Sequence, residues 1–156
     1  MKAASIKDIK DELTSLPPAQ VLALCLRLAR FKKENKDLLS YLLFDAQNQA
    51  GYIESITIEM TEAFDAIEVT NYYLAKKSLR KILRCLSRYS KHMADKQAEA
   101  ELLIHFCLLV KQKNIPLHKT QALSNLYKQQ VKKIHQLISG LHEDLAFDYK
   151  KKVEGL

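Results

Sequence analysis

The chain has 156 residues, three glycines, three prolines and a net charge of +7. Scarce Gly and Pro beside abundant Leu, Ala, Lys and Glu exclude a turn-rich β fold and favour one all-helical domain over residues 1–156. The three cysteines, Cys25, Cys85 and Cys107, form no CxxC, so neither a disulfide framework nor a zinc knuckle is suggested, and the positive excess permits an anionic partner without requiring one.

Met1 to Lys10 is polar and lacks an apolar leader core. The longest apolar run, Leu102–Val110, is interrupted by His105 and is far short of the ~20 residues of a membrane span. These features predict a cytoplasmic chain with no membrane segment. Its cysteines, each inside an apolar helical stretch, read as reduced small hydrophobes.

In chain order, Ser5 with Asp8 three residues on forms a capping-box start for a first helix ending near Leu16. Pro17-Pro18 suits the first turn of a second. That helix reads Val21, Leu22, Leu24, Cys25, Leu26, Leu28, Phe31, interrupted only by Arg27 and Arg30, which predicts burial of most of its circumference. Glu34-Asn35 is the expected turn, with Asn35 capping a third helix that carries Leu38, Leu39, Tyr41, Leu42, Leu43 and Phe44.

Gly51 marks the next expected boundary. A charge switch follows: every charge from Gly51 to Thr70 is negative and every charge from Asn71 to Ala94 is positive. One helix over 51–94 would be roughly 66 Å long, so a break is expected at Val69-Thr70-Asn71, with two antiparallel helices of opposite sign. The first has the stripe Ile53, Ile56, Met60, Ala63, Phe64, Ile67. The second sets Leu79, Ile82, Leu83, Leu86 and Met93 opposite a basic row of Lys77, Lys81, Arg84, Arg88 and Lys91.

Asp95 caps a predicted central buried helix that Pro116 ends. A helix from about Thr120 to Ser139, a break at Gly140 and a short helix from Leu141 complete the chain, with ends fraying over about 1–4 and 150–156. The expected fold is all-α: about eight helices in antiparallel hairpins, as a stacked helical-repeat-like array or an irregular multi-helix bundle. The successive pairs are similar in layout to HEAT-type helical repeats, without a repeated residue signature.

Catalytic motifs are missing: there is no GxSxG, no Gly-rich phosphate loop and no HExxH. His135 and His142 would stand about 10.5 Å apart along one helix, too far to share a metal. No cofactor or metal is therefore expected. The Lys77–Lys91 row could contact phosphates, with Tyr72, Tyr73 and Tyr89 as stacking platforms and Lys128, Lys132 and Lys133 extending the surface. A charge row opposite an apolar seam is more often an ordinary solvent face. Phe44, Gln47, Asn48, Gln49 and Tyr52 form a mixed aromatic and amide corner. The reading that follows is a non-catalytic protein–protein interaction or scaffold module, or a self-associating one. The alternative is a nucleic-acid-binding protein using the basic face of residues 76–91.

Overall fold

The computed structural model describes residues 3–156, so the first two residues of the expected N-terminal fray lie outside it. Helices and short helical turns are the regular structure of the described residues, without strands. They fall into two compact units, one up to Phe44 and one from Asp45 to Leu156.

In the first unit, α1 (Ile6–Ser15) starts at the expected cap. The Asp8 N–H donates to the Ser5 hydroxyl at 3.2 Å and the Ser5 N–H donates to the Asp8 carboxylate at 3.1 Å. Helix α2 (Pro18–Phe31) begins on Pro18, where the missing N–H leaves no helical bond unmade. Helix α3 (Lys33–Ser40) pairs with α2 as a hairpin.

Two expectations fail here. Asn35 does not cap α3, which starts before it after an extended Lys32. The Asn35 side-chain amide instead donates to the Leu28 carbonyl at 2.9 Å, satisfying an acceptor in the last turn of α2. Nor is α2 buried: no residue of α1, α2 or α3 is. Leu22 and Leu28 are 60% exposed and Phe31 75% exposed. An apolar circumference records how much surface could be covered, and α3 covers only one side of it. After Ser40 the chain widens into a π-turn, Tyr41–Asp45, and Tyr41 is the one buried side chain of this unit among the described residues.

The second unit holds the core. A 3₁₀ turn, Ala46–Asn48, leads into α4 (Gln49–Asp65). Asn48 caps this helix by accepting the Gly51 N–H at 3.1 Å. Gly51 is therefore the third helical residue, and a Cβ there would stand 2.5 Å from the Asn48 amide nitrogen. Helix α4 buries Ile56, Met60 and Phe64 and ends at Asp65, four residues before the expected break. Asn71 then caps α5 (Tyr72–Met93), accepting the Leu74 N–H at 3.1 Å. Tyr52 meets His92 and Glu59 meets Tyr89, a register that runs α4 and α5 antiparallel.

Ala94, with φ of 52°, turns the chain so that Asp95 can accept the Gln97 and Ala98 N–H groups and start α6 (Lys96–Gln112). This is the central helix that its apolar circumference predicts. Ala98, Ala100, Leu102, Leu103, Ile104, Phe106, Cys107, Leu109 and Val110 are all buried, and the helix packs against α4, α5 and α7. Phe106 meets Phe64 edge-on with ring centroids 5.3 Å apart.

Past Pro116 a 3₁₀ turn (Leu117–Lys119) precedes α7 (Gln121–Ser139), which Thr120 caps. The last helix, α8 (Glu143–Val153), starts two residues later than expected and continues past residue 150: Tyr149 and Val153 are buried, and the Lys111 ammonium donates to the Gly155 carbonyl. Helices surrounding one central helix make this unit an irregular multi-helix bundle.

Candidate interaction surfaces

The basic row lies on α5 as its spacing requires. At roughly 100° per residue, Lys77, Lys81, Arg84, Arg88 and Lys91 fall within an arc of about 80°. The opposite side carries Ala75, Leu79, Ile82, Leu86 and Met93 in the core. Lys77, Lys81, Arg84 and Lys91 are exposed. Arg88 is half-buried, and its guanidinium carbon stands 5.3 Å from the Tyr89 ring centroid.

Two acids of α4 are engaged away from this row. The Glu59 carboxylate accepts the Tyr89 hydroxyl at 2.8 Å, and Asp65 is paired with Lys113 beyond the end of α6. Among the described residues, Lys77, Lys81, Arg84 and Lys91 make no ion pair. Burial pushes the Tyr89 phenol above its usual pKa and the adjacent Glu59 charge adds to that, so this hydroxyl remains a donor at neutral pH.

The row is a crest between two grooves. On one side, α4 and α5 enclose about 260 Å³ lined by Ile56, Met60, Ala63, Lys81, Cys85 and Tyr89, among others. On the other, α5 and α7 form a groove of about 620 Å³ in which Arg80 and Arg84 face Asn125, Gln129 and Gln130. Arg80 stands outside the row predicted from the sequence. Its position matters only because α7 packs beside that edge of α5. Lys132, expected to extend the basic face, lines a different groove with Lys128, Tyr127 and His135, and Lys133 is paired with Glu99.

The corner from Phe44 to Tyr52 resolves into structural roles for several members. Asn48 caps α4, Gln49 donates to the Asp95 carboxylate at 2.8 Å, and Tyr52 meets both His92 and the edge of Tyr89. Phe44 is 78% exposed.

The surface that the sequence misread is in the first unit. Between α2 and α3 runs a groove of about 560 Å³ with Leu26, Ala29, Leu39, Leu43 and Phe44 along it. Arg30, Lys32, Lys33 and Lys36 stand at the same groove. Outside it, Leu22, Leu24, Leu28 and Phe31 of α2 are also exposed, together with Ile6 and Ile9 of α1. Cys25 is exposed here too, contrary to its expected burial, whereas Cys107 is buried in α6. An exposed apolar area of this kind is unusual for a surface facing only water.

Among the described residues, no three His, Cys, Asp or Glu side chains converge as metal ligands, and no helix is long and apolar enough to cross a membrane. Comparison with protein-family models, curated proteins and solved structures finds no match to this chain.

Proposed function

We propose that this protein is a non-catalytic interaction module whose docking element is the N-terminal unit, α1 to α3. One observation carries the reading: the second unit buries its apolar stripes, while the first leaves Leu22, Leu28, Phe31, Leu43 and Phe44 at least 60% exposed. Each such side chain, once covered, contributes roughly 1.5–3 kcal/mol, so several together would hold a partner. A helical hairpin offering an apolar groove is a recurrent way to bind another helix.

The test is a serine triple variant, Leu28→Ser with Phe31→Ser and Leu43→Ser. These exposed positions leave the core of the second unit untouched. Sedimentation velocity over about a hundredfold range of concentration follows association by mass action. A hydrophobic dye reports the free surface. The wild-type chain should bind the dye and associate, and the variant should do neither. A monomeric chain that leaves the dye dark, with or without the substitutions, would sink the reading.

A second reading rests on the α5–α7 groove. Two arginines opposite three side-chain amides suit a phosphate backbone. Arg80→Glu with Arg84→Glu should then abolish salt-sensitive binding of single-stranded RNA in a fluorescence anisotropy titration. No binding by the wild-type chain at low salt removes this alternative.

A further inference from the structure

Two exposed patches of this chain have complementary chemistry. The α2–α3 groove has an apolar floor and four cations, Arg30, Lys32, Lys33 and Lys36. Glu34 and Asp37, the acids of α3, do not line it. The outer face of α4 has the opposite character. Glu54, Ile58 and Glu62 recur at steps of four, share one side of the helix and span ~12 Å. All three are exposed, with Ile58 at 55%. Helix α4 contains no Lys or Arg, and among the described residues neither Glu54 nor Glu62 is ion-paired.

We infer that the occupant of the α2–α3 groove is α4 of a second copy of this chain. Ile58 enters among Leu26, Leu39, Leu43 and Phe44, and Glu54 and Glu62 meet the groove cations. This rests on the interaction reading above and names its partner and contact. The apolar entry supplies the attraction. The charges select orientation and partner, since exposed opposite pairs add little while like charges brought together cost several times more. The contact joins different surfaces of the two copies. Made twice about a two-fold axis it closes a dimer, and made once per copy it propagates.

Charge reversal on the full-length chain tests this. Lys32→Glu with Lys33→Glu and Lys36→Glu reverses the groove, and Glu54→Lys with Glu62→Lys reverses α4. Each of these positions is exposed, and far-UV circular dichroism checks that both variants fold. Each variant alone should associate on the order of tenfold more weakly than wild type, or worse, by sedimentation velocity at low salt. An equimolar mixture of the two should recover association, because each reversed groove then meets a reversed α4 and each native groove a native one. A mixture that stays monomeric overturns the inference. So does binding of an acidic amphipathic helical peptide, or of phosphatidylserine vesicles, by a wild-type chain that remains monomeric. If the serine triple variant abolishes association while both charge variants associate like wild type, the interaction reading stands and the α4 contact falls. If neither set changes anything, both fall.

Discussion

The Tyr89 hydroxyl donates to the Glu59 carboxylate at 2.8 Å, so a hydrogen bond ties the acidic helix α4 to the basic helix α5, with no ion pair between them among the described residues. It is near the surface and its acceptor is charged. Tyr89→Phe should therefore cost about 1 kcal/mol of stability, and Glu59→Gln, which keeps a weaker acceptor, less. A double-mutant cycle in urea gives the coupling directly. A cycle that closes to zero would mean the pair holds nothing.

The two units should open very differently. Phe106 is fully buried against Phe64, so Phe106→Ala should destabilise by about 3–5 kcal/mol. Leu22→Ala, at a 60% exposed position, should change stability by less than about 0.5 kcal/mol in the free chain. Hydrogen exchange read by mass spectrometry should find the amides of α6 the slowest to exchange and those of α1 to α3 fast at low concentration. Strong protection of α2 in a monomeric sample would contradict this order.

Alkaline pH should weaken the fold through three core groups. Burial pushes the Cys107 thiol to about 12, against a small opposing pull from Lys111. Burial also pushes the Tyr127 and Tyr149 phenols to about 12, and Glu101, which accepts the Tyr149 hydroxyl, adds to the second. Each folded pKa lies above its unfolded value, so the folded state keeps protons that the unfolded chain releases. The contribution is whole below about pH 9 for Cys107 and about pH 10 for the tyrosines, and it is lost as pH rises toward 12. Cys107 alone contributes up to about 1.4 kcal/mol per pH unit in that window. Urea midpoints from pH 8 to 11 for Cys107→Ala and Tyr149→Phe should fall less steeply than for wild type. Parallel slopes would refute the assignment.

On the acid side the sign comes from His105. Its pKa is lowered by burial, and its Nε2 is buried without a hydrogen-bond partner among the described residues. The unfolded chain takes up a proton below about pH 6.5 that the folded chain resists, so stability falls as pH drops through that point. His105→Leu should lose this dependence and be relatively more stable at pH 5. Thermal unfolding at pH 5 and 7 checks it: an unchanged pH response in the variant would place the acid sensitivity elsewhere.

Local signals were legible wherever one residue type satisfies one backbone need. Ser5, Asn71 and Asp95 cap helices where their spacing to the following apolar run places them. Asn35 shows the limit. The same amide that can accept an N–H at a helix start can donate to a carbonyl seven residues back, and the choice depends on how the hairpin closes. Arg80 shows it for the site: like Lys76 it falls outside the row, and only the groove shared with α7 sets it apart.

The sequence by itself determined the helices, most of their caps, the central place of α6 and the side of α5 that carries its charge. These follow from the 3.6-residue period and from backbone groups satisfied within a few residues. Tertiary structure alone decided that α2, as apolar around its circumference as α6, stays exposed. Periodicity measures how much surface a helix could bury; how much it does bury depends on how many neighbours reach it. Helix α6 packs against α4, α5 and α7, while α2 has α3 as its main neighbour and keeps the rest of its apolar surface uncovered.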